Sequence, residues 1–153
     1  MALMAGDKAP DFTLPDETGT ERTLSSYLES GPVVLFFYPA ANTPGCTAEA
    51  CHFRDLASEF EAAGAQRLGI SVDNIDKQQK FSSKHGFDYP LLADVGGAVA
   101  TAYGVKRGSL LGKLTPVKRA TFVIGADGLI KEVISSETKM DLHADEALQA
   151  LAR

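Results

Sequence analysis

Residues 33–38, Val-Val-Leu-Phe-Phe-Tyr, form an unbroken apolar run bounded by Gly31-Pro32 and Pro39. A run this short, dense in β-branched and aromatic residues, predicts a strand covered on both faces. Pro39, Asn42, Pro44 and Gly45 follow, all turn formers, and then a helical pattern begins. Cys46 therefore falls where a buried strand ends and a helix starts. Unpaired N–H groups and the positive end of the helix dipole stabilise an anion at such a place, which suits a reactive thiolate.

The rest of the chain arranges itself around that strand. Residues 5–24 predict an opening hairpin, with Asp11-Phe12-Thr13-Leu14 going out, a turn at 15–19 and Glu21-Arg22-Thr23-Leu24 returning. Residues 25–28 predict one helical turn. Thr43 is a plausible N-cap and Pro44 suits the first helical position of a helix running to Ala63. Ala50, Phe53, Leu56, Ala57 and Phe60 give that helix one apolar face, and Gly64 stops it. Residues 66–72 predict a second buried strand, Asp73-Asn74 a cap, and 75–85 a helix ended by Gly86. Residues 90–93 predict a short extended segment, 97–103 a short helix closed by Gly104, and 105–118 a long loop with Gly108, Gly112 and Pro116. Residues 119–124 and 129–134 predict a hairpin turning at Ala126-Asp127-Gly128. A last helix spans 142–153, with Asp141 as its candidate cap and Leu142, Ala147, Leu148 and Leu151 as its inner side. Strands separated by helices pair in parallel and the late hairpin adds an antiparallel edge. The expected architecture is α/β: one domain over 1–153, a mixed central sheet with helices on both faces and an N-terminal β-hairpin.

Bulk properties exclude several functions. The formal net charge of −5 gives no electrostatic case for nucleic acid or an anionic membrane. No apolar segment approaches the roughly 20 residues that span a bilayer, and the N-terminus lacks the pattern of a signal peptide. A cytoplasmic protein is expected. Lys106, Arg107, Lys113, Lys118 and Arg119 are five of the fifteen basic residues; the stretch reads first as a solvated basic loop, and alternatively as one that borders a substrate entrance or helps dock a reductant.

Only two cysteines are present, Cys46 and Cys51. They are too few for a disulfide scaffold or an all-cysteine zinc site, and His52, His85 and His143 offer no zinc-type spacing. No metal and no cofactor is expected. On one ideal helix, a five-residue step sets the two Cα atoms about 8.6 Å apart. A disulfide wants roughly 4.4 to 6.8 Å. Any redox cycle joining them requires the first turn or two of the helix to unwind. Cys51 also reads as a small buried hydrophobe at helical spacing.

Pro39-x3-Thr43-x2-Cys46 resembles the Pro-x3-Thr/Ser-x2-Cys signature of peroxiredoxins. TPGCTAEAC, with its second cysteine five residues on, is similar to the bacterioferritin comigratory protein (Q-type) branch. The opening GDKAPDFTLPDETG, the strand VVLFFYP and KRATFVI before a DG turn resemble it too, so the likeness spans nearly the whole chain. The resemblance implies a thioredoxin-like fold and a thiol peroxidase acting on hydrogen peroxide and organic hydroperoxides. It implies that the Cys46 thiolate attacks the peroxide, that the Thr43 hydroxyl binds thiolate and peroxide, that Pro39 shields the sulfur and that Arg119 stabilises the developing charge. Main-chain N–H groups near Gly45 and Cys46 complete the donor set. The sulfenic acid on Cys46 would condense with Cys51, and thioredoxin or a similar dithiol would reduce the disulfide. Glu49 also matches the branch, as a support for proton transfer or helix capping. With no further cysteine, a monomer is expected, with a weak dimer as the alternative.

Two other readings compete. The same pair suits a thioredoxin-like disulfide exchanger or redox sensor, or it belongs to a non-catalytic domain. Pro39 and Thr43 ahead of Cys46 favour the peroxidase, since an exchanger needs no peroxide pocket.

Overall fold

The computed structural model describes residues 3–107 and 117–153. Gly108, Gly112, Lys113 and Pro116 of the expected loop lie outside the described residues. In chain order the elements are β1 (Thr13–Pro15), β2 (Glu21–Thr23), α1 (Leu24–Leu28), β3 (Val33–Phe37), α2 (Pro44–Asp55), α3 (Ala57–Ala62), β4 (Gln66–Ser71), α4 (Ile75–His85), β5 (Leu91–Ala93), α5 (Ala98–Ala102), β6 (Ala120–Ile124), β7 (Ile130–Ser135) and α6 (Met140–Leu151). β1 and β2 form the antiparallel N-terminal hairpin. The main sheet has the order β5-β4-β3-β6-β7, with β3, β4 and β5 parallel and β6 and β7 antiparallel to their neighbours.

β3 is the central strand and every residue in it is buried. Its side chains alternate between two cores, as strand geometry requires. Val33, Leu35 and Phe37 join the cluster that includes Val99, Ala100 and Tyr103 from α5 and its C-terminal end. Val34, Phe36 and Tyr38 join the cluster with Ala50, Phe53, Phe60, Phe81 and Ala147 from α2, α3, α4 and α6. Phe36 stacks on Phe53 with ring centroids 4.1 Å apart. Gly69 on β4 makes room for this packing. A Cβ there would come within 2.8 Å of Leu91 Cδ2 and 3.0 Å of Phe36 Cζ.

The elements bear out the expected order, with three differences. The helix expected to run to Ala63 breaks at Leu56 (φ −96°, ψ 22°) into α2 and α3. At the break, Arg67 Nη1 from β4 donates to the Phe53 carbonyl at 2.8 Å. α6 starts at Met140, and Lys139 rather than Asp141 occupies its N-cap position. Its buried positions are His143, Ala144, Ala147 and Ala150, while Leu142, Leu148 and Leu151 are half-buried at the edge of the core. Alanines let the helix approach closely, so the inner face runs one step round from the leucines. Asn74, by contrast, caps α4 as expected, accepting from Lys77 N at 2.9 Å, and Gly86 closes it at φ +63°. No helix among the described residues is long and apolar enough to cross a membrane.

Candidate active site

Sheet register explains why the end of β3 meets distant parts of the chain. β3 and β6 run antiparallel with Phe37 opposite Ala120, so Arg119 stands beside the end of β3. β6 and β7 pair Ala120 with Ser135, which brings the connection to α6 to the same end. α2 starts there as well and packs along α6.

Residues 39–43 form the turn between β3 and α2. Pro39 is buried. Asn42 adopts a left-handed conformation (φ +62°), which asparagine tolerates better than most residues. Asp73 Oδ2 holds the turn from beneath, accepting from Ala41 N and Ser71 Oγ, both at 2.7 Å. Behind it, Tyr38 Oη donates to Gln78 Oε1 at 2.5 Å, and Gln78 Nε2 donates to Ser71 Oγ and the Leu92 carbonyl. The phenol of Tyr38 is pushed well up by burial.

Thr43 occupies the N-cap position but makes no side-chain cap bond. Its Oγ1 donates to the Ala40 carbonyl at 2.8 Å instead, which corrects the expected capping role. The first backbone bond of the helix runs from Thr47 N to Thr43 O, so the N–H groups of Gly45 and Cys46 project from an uncapped helix start. No acidic residue lies in the first turn to compete for them.

Cys46 is a buried free thiol, 1% exposed. Arg119, 5% exposed, reaches it across the sheet end: Nη2 donates to Cys46 Sγ at 3.3 Å, and Nη1 donates to Glu49 Oε1 at 2.8 Å. The expected exposed basic stretch is thus divided. Lys106 and Lys118 are exposed, Arg119 turns inward, and Arg107 pairs with Glu137 at 3.1 Å. Glu137 Oε2 also accepts from Arg119 N at 3.0 Å. Glycine at 45 permits the close approach: a Cβ there would lie 2.9 Å from Met140 Cε and 3.3 Å from Arg119 Nη2.

Glu49 is fully buried, one turn after Cys46. Loss of water is the largest influence on its carboxyl and pushes its pKa up to about 8, against the opposing pull of Arg119. Its Oε2 lies 3.5 Å from Nδ1 of His143, also fully buried. Burial holds the His143 imidazole below its ordinary pKa. Sequence reasoning missed this histidine. The available signal was a histidine on the last helix next to alanines at three-residue spacing, Ala144, Ala147 and Ala150, and only the register of β6, β7 and α6 gives it meaning.

Cys51 lies further along the same continuous helix, half-buried and also a free thiol. Its neighbour His52 turns away to Asp145 on α6, with Nε2 2.8 Å from Oδ1. Tyr89 Oη donates to the Ala50 carbonyl at 2.7 Å, pinning the segment between the cysteines.

The structure brings together Cys46, Arg119 and Glu49 by direct contact, and sets Thr43 at the end of the turn and Gly45 in the first turn of α2 beside them. A cation on a buried sulfur at a helix start is an arrangement for nucleophilic attack by sulfur with stabilisation of departing charge.

The profile of the AhpC/TSA family matches residues 5–133. The crystal structure of peroxidoxin BcpB from Mycobacterium tuberculosis is 61% identical, with a TM-score of 0.93 over 98% of this chain and 97% of that one. The bacterioferritin comigratory protein of Xanthomonas campestris is 34% identical, with a TM-score of 0.83 over 92% of this chain and 90% of that one. The chloroplastic peroxiredoxin Q of Sedum lineare is 38% identical over 146 residues, covering 95% of this chain and 76% of its own length. The thioredoxin-like fold and the peroxiredoxin resemblance read from the sequence hold, and the chain belongs to the AhpC/TSA family as a thiol-dependent peroxidase of the peroxiredoxin type.

Proposed function

We propose that Cys46 is the sulfur that attacks the peroxide, and that Cys51 resolves the product. The contact of Arg119 Nη2 with the buried Cys46 Sγ at 3.3 Å carries this reading. In the step itself, a thiolate electron pair forms the S–O bond and the O–O bond breaks toward the leaving oxygen, which takes a proton to become water or an alcohol. Arg119 stabilises negative charge on the sulfur and on the leaving oxygen. The N–H groups of Gly45 and Cys46 donate to the peroxide. Thr43, whose proton is committed to the Ala40 carbonyl, accepts from the peroxide O–H. Pro39 keeps the sulfur dry. Met140, half-buried against Gly45, forms a flexible lip beside Arg119.

The Xanthomonas campestris relative is known for alkyl peroxide reduction activity, and we extend that substrate class, with hydrogen peroxide, to this chain. The resulting sulfenic acid loses water as Cys51 attacks it. Both cysteines sit on α2, so this step unwinds the helix between them and releases Glu49 from Arg119. A dithiol of the thioredoxin kind then reduces the exposed disulfide in the cytoplasm, and the chain works as a monomer or weak dimer.

The test uses Cys51→Ser protein, one equivalent of peroxide and a sulfenic acid probe, read by peptide mass spectrometry. The label is expected on Cys46 alone, and in the parent it is expected to give way to a 46–51 disulfide. A label elsewhere, or a parent whose sulfenic acid persists without a disulfide, contradicts the assignment.

A further inference from the structure

The tautomer of His143 is fixed by its surroundings. Nε2 lies 2.9 Å from the Ser136 carbonyl. A carbonyl only accepts, so Nε2 carries hydrogen. A neutral imidazole then presents Nδ1 as an acceptor, which takes the Thr121 Oγ1–H at 2.7 Å, and Glu49 Oε2 lies 3.5 Å from the same nitrogen. That carboxyl oxygen is buried with no hydrogen-bond partner among the described residues. An ionised Glu49 would thus set a carboxylate oxygen that has no partner among the described residues beside a nitrogen that is itself an acceptor, both fully buried. One added proton relieves this, as an O–H that makes the Oε2 carboxyl neutral or as an N–H on Nδ1 shared between Thr121 Oγ1 and Oε2.

We propose that Glu49 and His143 together hold one proton in the reduced protein, and that His143 is a positioning residue that thereby keeps Glu49 from neutralising Arg119. Burial raises Glu49 to about 8 and lowers His143, so the proton resides on the carboxyl. The other charged or titratable groups facing the pair are Arg119 at the start of β6, Cys46 on α2, and Glu137 before α6 with its partner Arg107. With Glu49 neutral, the guanidinium has the Cys46 sulfur as its anionic partner within the core. Once the pair loses its proton, a full carboxylate 2.8 Å from Nη1 shares that cation. The proton is held throughout peroxide reduction; the leaving oxygen takes its own from solvent.

This inference rests on the peroxidase role of Cys46 only for its kinetic consequence, so two readouts separate the two. The first is infrared difference spectroscopy of the reduced protein near neutral pH. A protonated-carboxyl band is expected in the parent, lost on alkaline titration with a midpoint near 8, and absent in Glu49→Gln. The second is the second-order rate constant with peroxide against pH, each protein scaled to its own maximum. The parent is expected to decline above that midpoint to a lower plateau, Glu49→Gln to show no decline, and His143→Gln, whose amide donates to Oε2 without holding a proton, to decline at lower pH. Absence of the infrared band at neutral pH, or an alkaline decline unchanged in Glu49→Gln, overturns the proposal. Should His143→Gln fail to fold, the band and the Glu49→Gln profile decide it. An infrared band in a protein that does not consume peroxide would uphold the shared proton and sink the peroxidase role instead.

Discussion

Arg119 touches the sulfur of Cys46 at 3.3 Å although 73 residues separate them in sequence. The antiparallel register of β3 and β6 places the guanidinium there, and Glu49 fixes its other arm. Removing one preorganised donor from a site of developing charge costs roughly 10²- to 10³-fold in rate. Arg119→Met is expected to lose about that much of the second-order rate constant with peroxide. Arg119→Lys keeps the charge but not the two-armed geometry, and should fall between the two. Stopped-flow peroxide consumption checks both.

Glu49 also ties stability to pH. Its folded pKa, about 8, lies above the ordinary 4.5. Between those values the folded state binds more protons than the unfolded state, so this group's contribution is fully present below about 4.5 and is lost as pH rises toward 8. The slope approaches about 1.4 kcal/mol per pH unit within the window. His143 is lowered and acts with the opposite sign, losing its contribution as pH falls below its ordinary value near 6.5. Urea unfolding of parent and Glu49→Gln at both ends of the window isolates the carboxyl: the parent should lose stability relative to the variant as pH rises.

Asp73 holds the loop that carries the site. Its Oδ2 accepts from Ala41 N and Ser71 Oγ, both at 2.7 Å. Asp73→Ala is expected to cost about 1–3 kcal/mol through the donors it strands. Peroxidase activity should drop further than stability does, because the turn from 39 to 43 loses its fixed height. Chemical denaturation and rate measurements on one preparation separate the two effects.

Gly45→Ala places a Cβ 2.9 Å from Met140 Cε and 3.3 Å from Arg119 Nη2. The methionine end can swing aside; the doubly bonded guanidinium cannot do so freely. The variant should therefore fold with nearly parental stability and lose activity, and adding Met140→Ala should not restore it. Recovery of full activity in the double variant would show that Met140, not Arg119, limits the site.

Tyr89→Phe removes the bond from the phenol to the Ala50 carbonyl, within the segment that must unwind for Cys46 to meet Cys51. A buried bond of this kind contributes about 0.5–1.5 kcal/mol. Disulfide formation after a single peroxide turnover should accelerate by up to about tenfold, with the first oxidation unchanged. Rapid-quench trapping of free thiol against time checks it.

Much of this was legible from local pattern. The apolar run of β3, the turn formers after it and Cys46 at the helix start needed only composition and spacing. Arg119 was different: a single arginine before a strand is ordinarily exposed, and only the family resemblance singled it out. The break at Leu56 was hidden because its partner, Arg67, comes from β4. His143 was hidden for a similar reason. The leucines of α6 mark an inner side, but the packing turns the small alanines and the histidine inward. A buried histidine is intelligible only once Thr121, Ser136 and Glu49 are placed around it.

The most direct test of the central claim is stopped-flow consumption of hydrogen peroxide by the fully reduced protein beside Cys46→Ser and Cys51→Ser. The parent should react far faster than free cysteine, Cys46→Ser should be inert, and Cys51→Ser should complete its first turnover but form no disulfide. A parent no faster than free cysteine, or a Cys46→Ser protein that retains the rate, would contradict it.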